Sequence, residues 1–84
     1  MIENHAQFET SLERVRGFQD YFATEVGKCR EEGLGPIETR RLLEPQVSFN
    51  EGIREEVESY ATANSIDLEE LKLPTRPSEL LDKL

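Results

Sequence analysis

The chain of 84 residues has no tryptophan, one cysteine and one histidine. A single cysteine, Cys29, excludes an internal disulfide and a cysteine-based zinc site, and it fits a reducing compartment. With His5 as the only histidine, neither a paired-histidine metal site nor a Ser-His-Asp arrangement can be built. Glycine loops that bind phosphate and acidic loops that bind calcium are also missing. We therefore expect no catalytic residue, no cofactor and no metal site, and we expect that the protein is not an enzyme.

Long apolar runs are absent as well, and basic residues are few. No stretch of the sequence is apolar enough to span a bilayer, and the first residues lack the basic start of a signal peptide. We therefore expect a cytoplasmic protein without membrane contact. Ten Lys and Arg residues stand against 18 Asp and Glu residues, and the formal charge is −8. Because nucleic acid backbones are bound by clustered basic side chains, we expect no direct nucleic acid binding.

What the sequence does contain is a regular apolar pattern in its first part. Apolar residues recur at steps of four and three from Phe8 onward. This spacing predicts an amphipathic α-helix over about residues 4–32, with Asn4 as its N-cap and Gln7 three residues on. The predicted seam residues are Phe8, Leu12, Val15, Gln19, Phe22, Val26 and Cys29.

A glycine-proline turn over residues 33–36 follows, and a second apolar stripe continues after it. Gly33 suits a backbone with positive φ at a helix end, and Pro36 suits the first turn of a helix. Pro45 predicts a break near Glu44, which gives helices over about residues 36–43 and 45–63. The predicted seam residues are Leu42, Phe49, Ile53, Val57 and Tyr60, with Gln46 in the same row.

Gln19 is polar in the middle of an apolar seam, and two interpretations stay open. A buried glutamine can fix helix register or oligomeric state, with Gln46 or Asn50 as its partner. Alternatively, Gln19 lies at the edge of the seam in water, and the neighbouring Phe18 takes its place in the core.

The sequence predicts two regions, a helical hairpin over residues 1–64 and a proline-broken acidic tail over residues 65–84. Asp67 can cap a short helix in the tail. The end of the tail can close as one amphipathic turn that is docked on the hairpin, docked on a partner, or disordered. Its candidate partner-binding residues are Leu73, Leu80, Leu81 and Leu84.

The predicted fold class is all-α: an antiparallel helical hairpin with a kinked or broken second helix and a short C-terminal helix. Phe18, Tyr21, Leu43 and Val47 widen the apolar faces beyond what one neighbouring helix covers. Small scaffolds commonly compensate for a small core by oligomerisation. We therefore expect a homodimer whose two hairpins form a four-helix bundle.

The hairpin resembles the segment ahead of Xre-type helix-turn-helix domains in bacterial antitoxin-like regulators. The residues that carry the resemblance are 1–4 (Met-Ile-Glu-Asn) with Phe8, the turn at 32–36, and residues 53–60. In such relatives a DNA-reading domain follows, whereas here only the tail follows Tyr60. The resemblance therefore implies a hairpin that dimerises or docks on a partner, and it carries over no DNA-binding residue.

These observations favour a non-catalytic protein-interaction and dimerisation module, such as a small bacterial regulatory or antitoxin-like protein. The module would offer its tail or an exposed apolar patch to another protein. The alternative is an acidic inhibitor that imitates nucleic acid and blocks an enzyme acting on DNA or RNA, with carboxylates in the place of phosphates.

Overall fold

The computed structural model describes residues 2–84, so Met1, the first residue of the resembling segment, lies outside the described residues. Over this range the chain is helical without strands, which confirms the all-α prediction. The helices are α1 (His5–Glu31), α2 (Pro36–Ala63), α3 (Leu68–Leu71) and α4 (Pro77–Asp82). None of these helices combines the length and the apolar character that crossing a membrane requires.

Local capping interactions define the start of α1. The Asn4 side chain accepts a hydrogen bond from the Gln7 backbone N–H at 2.9 Å, which satisfies one of the free N–H groups of the first turn. The Gln7 side chain reaches back and accepts from the Glu3 backbone N–H at 2.8 Å. The helix therefore begins with a reciprocal pair that is close to a capping box.

The turn between the long helices is a Schellman motif. Gly33 has a φ of +81°, which glycine adopts without a Cβ clash. Its N–H donates to the Arg30 carbonyl and the Leu34 N–H donates to the Cys29 carbonyl, both at 3.0 Å. Pro36 is the first residue of α2, where no N–H is needed. The chain therefore reverses direction within a few residues, and α1 and α2 pack as an antiparallel pair.

The predicted break near Glu44 is absent, because α2 runs unbroken from Pro36 to Ala63 with Pro45 inside it. Proline in a helix interior costs about 3 kcal/mol. Leu43 and Val47 flank it and are buried against α1, and each contributes roughly 1.5–3 kcal/mol. Pro45 itself is exposed. Packing on both sides of the proline therefore outweighs its local cost.

The line of α2 that faces α1 also differs from the predicted seam, by a single residue. Leu43, Val47 and Asn50 are buried, whereas Leu42 and Phe49 are 57% and 70% exposed. The two lines lie about 100° apart around the helix. The predicted seam is therefore corrected at Leu42 and Phe49, which lie beside the intrachain core.

The core consists of two clusters that lie one after the other along the hairpin. One contains Phe8, Leu12, Val15, Val57, Ala61 and Leu71, with Ile53 and Tyr60 packed against it. The other contains Phe18, Phe22, Leu43, Val47 and Leu81, with Val26 packed against it. Cys29 is also buried, and its thiol is free. Gln19 is exposed and Phe18 is buried, so Phe18 takes the core position that Gln19 leaves.

The tail packs against one face of the hairpin. Leu71 and Leu81 are members of the two core clusters, and Leu73, Leu80 and Leu84 pack against them. Of the three possibilities for the tail, the structure therefore shows docking within the chain. Since its leucines are used in the core, the tail is not a free docking segment.

Candidate interaction surface

The side of the hairpin away from the tail carries a shallow groove, here called the open groove. Residues of α1 form one wall and residues of α2 form the other, and the volume between them is about 570 Å³. The α1 wall contains Arg14, Gly17, Phe18 and Tyr21, and the α2 wall contains Pro45, Gln46, Phe49, Asn50 and Ile53. Arg14 is the one charged residue in this lining within the part of the chain that the structure describes.

The position of the open groove follows from the helical repeat of α2. Glu51 contacts the tail, and Phe49 lines the groove. Residues two positions apart project about 160° apart around an α-helix. A tail that covers the Glu51 side of α2 therefore leaves the Phe49 side uncovered.

Large apolar side chains reach solvent in and beside this groove. Phe49 is 70% exposed and Tyr21 is 46% exposed. Leu42, which lies two helical turns before Phe49 on α2, is 57% exposed. Leu42 and Phe49 are seven residues apart and lie on one face of α2, and Tyr21 lines the same groove as Phe49 from α1, so these side chains share a surface. A contiguous apolar surface of this kind is typical of an interaction site.

Two polar oxygen atoms at the base of the groove have no hydrogen-bond partner among residues 2–84. They are Oε1 of Gln46 and Oδ1 of Asn50, both fully buried, and Asn50 as a whole is only 5% exposed. A buried acceptor without a donor costs about 1–3 kcal/mol. Gln19, which the sequence suggested as a partner, is exposed and does not reach them.

The opposite side of the hairpin uses its polar groups to hold the tail. Arg16 of α1 donates from Nη2 to the Leu71 carbonyl at 2.6 Å. Arg54 of α2 is buried and donates from Nη1 to the Pro74 carbonyl at 2.7 Å. Hydrogen bonds from charged donors are the stronger ones. Arg16 and Arg54 therefore hold the tail against the hairpin.

Glu51 holds the first turn of α4, which has no side-chain cap of its own. Its Oε1 accepts from the Ser78 backbone N–H at 3.0 Å, and its Oε2 lies 3.3 Å from Nη1 of Arg76. Burial alone raises the pKa of Glu51, but the hydrogen bonds from Ser78 and the charges of Arg76 and Arg54 lower this pKa overall. The Glu51 carboxylate of α2 therefore takes the role that an N-cap side chain would have in α4.

Sequence reasoning found part of this surface, because Phe49 and Ile53 belong to the predicted seam and Tyr21 was expected to widen the apolar face. The predicted α1 seam residues lie in the core except Gln19 and the half-buried Val26, and the tail leucines lie against the hairpin. The groove residues Arg14, Gly17, Pro45 and Asn50 were not predicted as a site. One sequence feature indicated the missed part of the groove. Gln46 and Asn50 are two polar residues four positions apart, so they project from the same face of the helix.

Among residues 2–84, no group of three or more His, Cys, Asp or Glu side chains is placed to hold a metal ion. Comparison with protein-family models, with curated proteins and with solved structures finds no match to this chain.

Proposed function

We propose that this protein is a non-catalytic interaction module that self-associates through the open groove. The observation that carries this proposal is the pairing of an exposed apolar surface with two buried, unpartnered acceptors on the side of the hairpin that the tail leaves uncovered. An apolar partner surface would remove Phe49 and Tyr21 from water, and polar groups on it would pair with the acceptors once the Gln46 and Asn50 side chains turn toward the groove.

The docked tail changes which face of the hairpin is free for self-association. From the sequence, a bare hairpin needed a second hairpin to complete its core. The tail already covers one side, since Leu81 and Leu71 belong to the core clusters. What supports association is therefore the opposite side, where Phe49 and Leu42 are exposed.

The resemblance to hairpins of antitoxin-like regulators favours the same proposal, because in that family the hairpin implies dimerisation or partner docking. A small bacterial regulatory protein is the biological setting that we propose. Its test is co-purification with the product of a neighbouring gene, in the presence and absence of a groove substitution. Capture by the wild type and its loss in the groove variant would support a partner that needs the self-associated form, and equal capture by both forms would contradict it.

Phe49→Glu tests the interaction surface, and Ile37→Glu is its matched control. Both residues lie on α2, with 70% and 71% of their surface exposed, but Ile37 lies outside the groove. A buried aromatic side chain contributes roughly 1.5–3 kcal/mol, so Phe49→Glu is expected to weaken self-association at least about tenfold. Ile37→Glu is expected to leave it unchanged.

Sedimentation equilibrium over a wide concentration range measures both effects. Far-ultraviolet circular dichroism shows whether each variant keeps its helix content. A wild-type chain that stays monomeric throughout the range, or equal weakening by both substitutions, would contradict the proposal.

A further inference from the structure

The open groove contains hydrogen-bond acceptors without donors on one wall and a donor without acceptors on the other. The acceptors are Oε1 of Gln46 and Oδ1 of Asn50, on α2. Arg14 lies on the α1 wall and has no ion-pair partner among the described residues. Its guanidinium carries five N–H donors and no acceptor. The two walls therefore carry complementary polar groups.

We infer that a second copy of this chain closes the open groove, that the Gln46 and Asn50 side chains turn toward the groove, and that Arg14 of each copy donates to their oxygens in the other copy. This inference rests on the proposed self-association and names the contact that makes it specific. In a two-fold interface the same surface is used by both copies, so every contact occurs twice. A surface with its donor on one wall and its acceptors on the other meets this requirement.

The antiparallel hairpin makes the two-fold arrangement geometrically simple. A two-fold axis parallel to the helices places the α1 wall of one copy opposite the α2 wall of the other. Since Arg14, Gln46 and Asn50 line the same groove, the required displacement along the helices is short. Phe49 and Tyr21 of both copies are then covered together.

The charge of the groove also favours a second copy. The chain carries a formal charge of −8, which opposes association of identical molecules in general. No carboxylate is among the groove-lining residues that the structure describes. Two copies that meet here therefore bring arginine toward amide oxygens, with no carboxylate in the groove lining itself.

Mixing two complementary variants tests the contact between copies. Arg14→Ala removes the donor, and a second variant with Gln46→Met and Asn50→Leu removes both acceptors with apolar side chains of similar shape. In the mixed dimer, one contact site is complete and the other lacks both donor and acceptors. Each variant alone forms dimers in which both sites have groups without partners.

Native mass spectrometry of the equimolar mixture measures the share of mixed dimer. Random pairing gives a share of about half, and we expect a clear excess above this share. We also expect Arg14→Ala alone to weaken dimerisation about tenfold. The matched control is Arg41→Ala, which removes an exposed arginine outside the groove. Mixed with the same acceptor variant, it should pair at random.

The outcomes separate this inference from the proposed function. Random pairing of the Arg14→Ala mixture, with dimers still sensitive to Phe49→Glu, would overturn the arginine contact and leave self-association through the groove standing. The same random pairing is expected if Arg14 reaches the acceptors of its own chain. A wild-type chain that does not dimerise would overturn both.

Discussion

At the scale of single residues, the ends of the two long helices use the same backbone motif with different residues. Gly33 ends α1 with a φ of +81°, and Ser65 takes the equivalent place after α2 with a φ of +57°. The Ile66 N–H donates to the Ala61 carbonyl at 2.8 Å, as in the Schellman motif of α1. For a residue with a Cβ, this left-handed conformation costs about 1–2 kcal/mol of free energy.

Ser65→Gly is therefore expected to raise the free energy of unfolding by about 0.5–1 kcal/mol, after the greater freedom of glycine in the unfolded chain is counted. Gly33→Ala, which places a Cβ on the equivalent position of α1, should lower it by about 1 kcal/mol. Urea denaturation measures both, and Ser65→Ala serves as the control that should stay near the wild type. A stability loss in Ser65→Gly would mean that the serine side chain contributes more than its backbone costs.

At the scale of the elements, α4 depends on a carboxylate from another helix. Its first turn is held by Glu51 of α2, through the Ser78 N–H and the Arg76 guanidinium. Because the pKa of Glu51 is lowered in the folded chain, the stabilisation from this contact depends on pH. A carboxylate whose pKa is lower in the folded state stabilises the fold above its unfolded-state pKa, and this contribution is lost as the pH falls through the folded-state pKa.

Glu51→Gln is expected to lower the free energy of unfolding by about 1 kcal/mol at neutral pH, because the amide keeps an acceptor but loses the charge. The difference from the wild type should shrink as the pH falls below about 4.3, the ordinary pKa of glutamate. Denaturation curves from pH 7 to pH 3 measure it, with the exposed Glu55→Gln as control. A difference that stays constant over this range would contradict the role of the charge.

The elements also show how far sequence reasoning reaches. The bounds of α1, its Asn4 cap and the Gly33 turn depend on contacts between near neighbours, so local patterns were sufficient. Which face of α2 is buried depends on contacts with distant parts of the chain. The row of residues through Leu43 and the row through Leu42 have the same helical spacing, so the sequence pattern alone does not distinguish them. The choice between them is made by packing with α1 and the tail. The exact lining of the groove could not be predicted for the same reason, since it is what the tail leaves uncovered.

At the scale of the whole molecule, the tail completes the core that the hairpin begins. Leu81 of α4 is 5% exposed and packs with Phe18, Phe22, Leu43 and Val47. Arg16 and Arg54 anchor the preceding segment through its backbone carbonyls. The hairpin and the tail therefore pack together, and residues far apart in sequence are in contact.

Leu81→Ala is expected to lower the free energy of unfolding by about 2–4 kcal/mol, as for other large-to-small substitutions in cores. Leu68→Ala, at a tail leucine that is 38% exposed, should cost less than about 1 kcal/mol. Thermal unfolding followed by circular dichroism measures both. Equal and small effects would show that the tail is not part of the cooperative unit.

The positions of the two tyrosines give the molecule an intrinsic optical label. The chain has no tryptophan and two tyrosines; Tyr21 lies in the open groove, while the ring of Tyr60 stacks on Phe8 in the first core cluster. With Tyr60 replaced by phenylalanine, ultraviolet emission would come from Tyr21 alone. Water access to the groove could then be followed by collisional quenching, without attaching any dye.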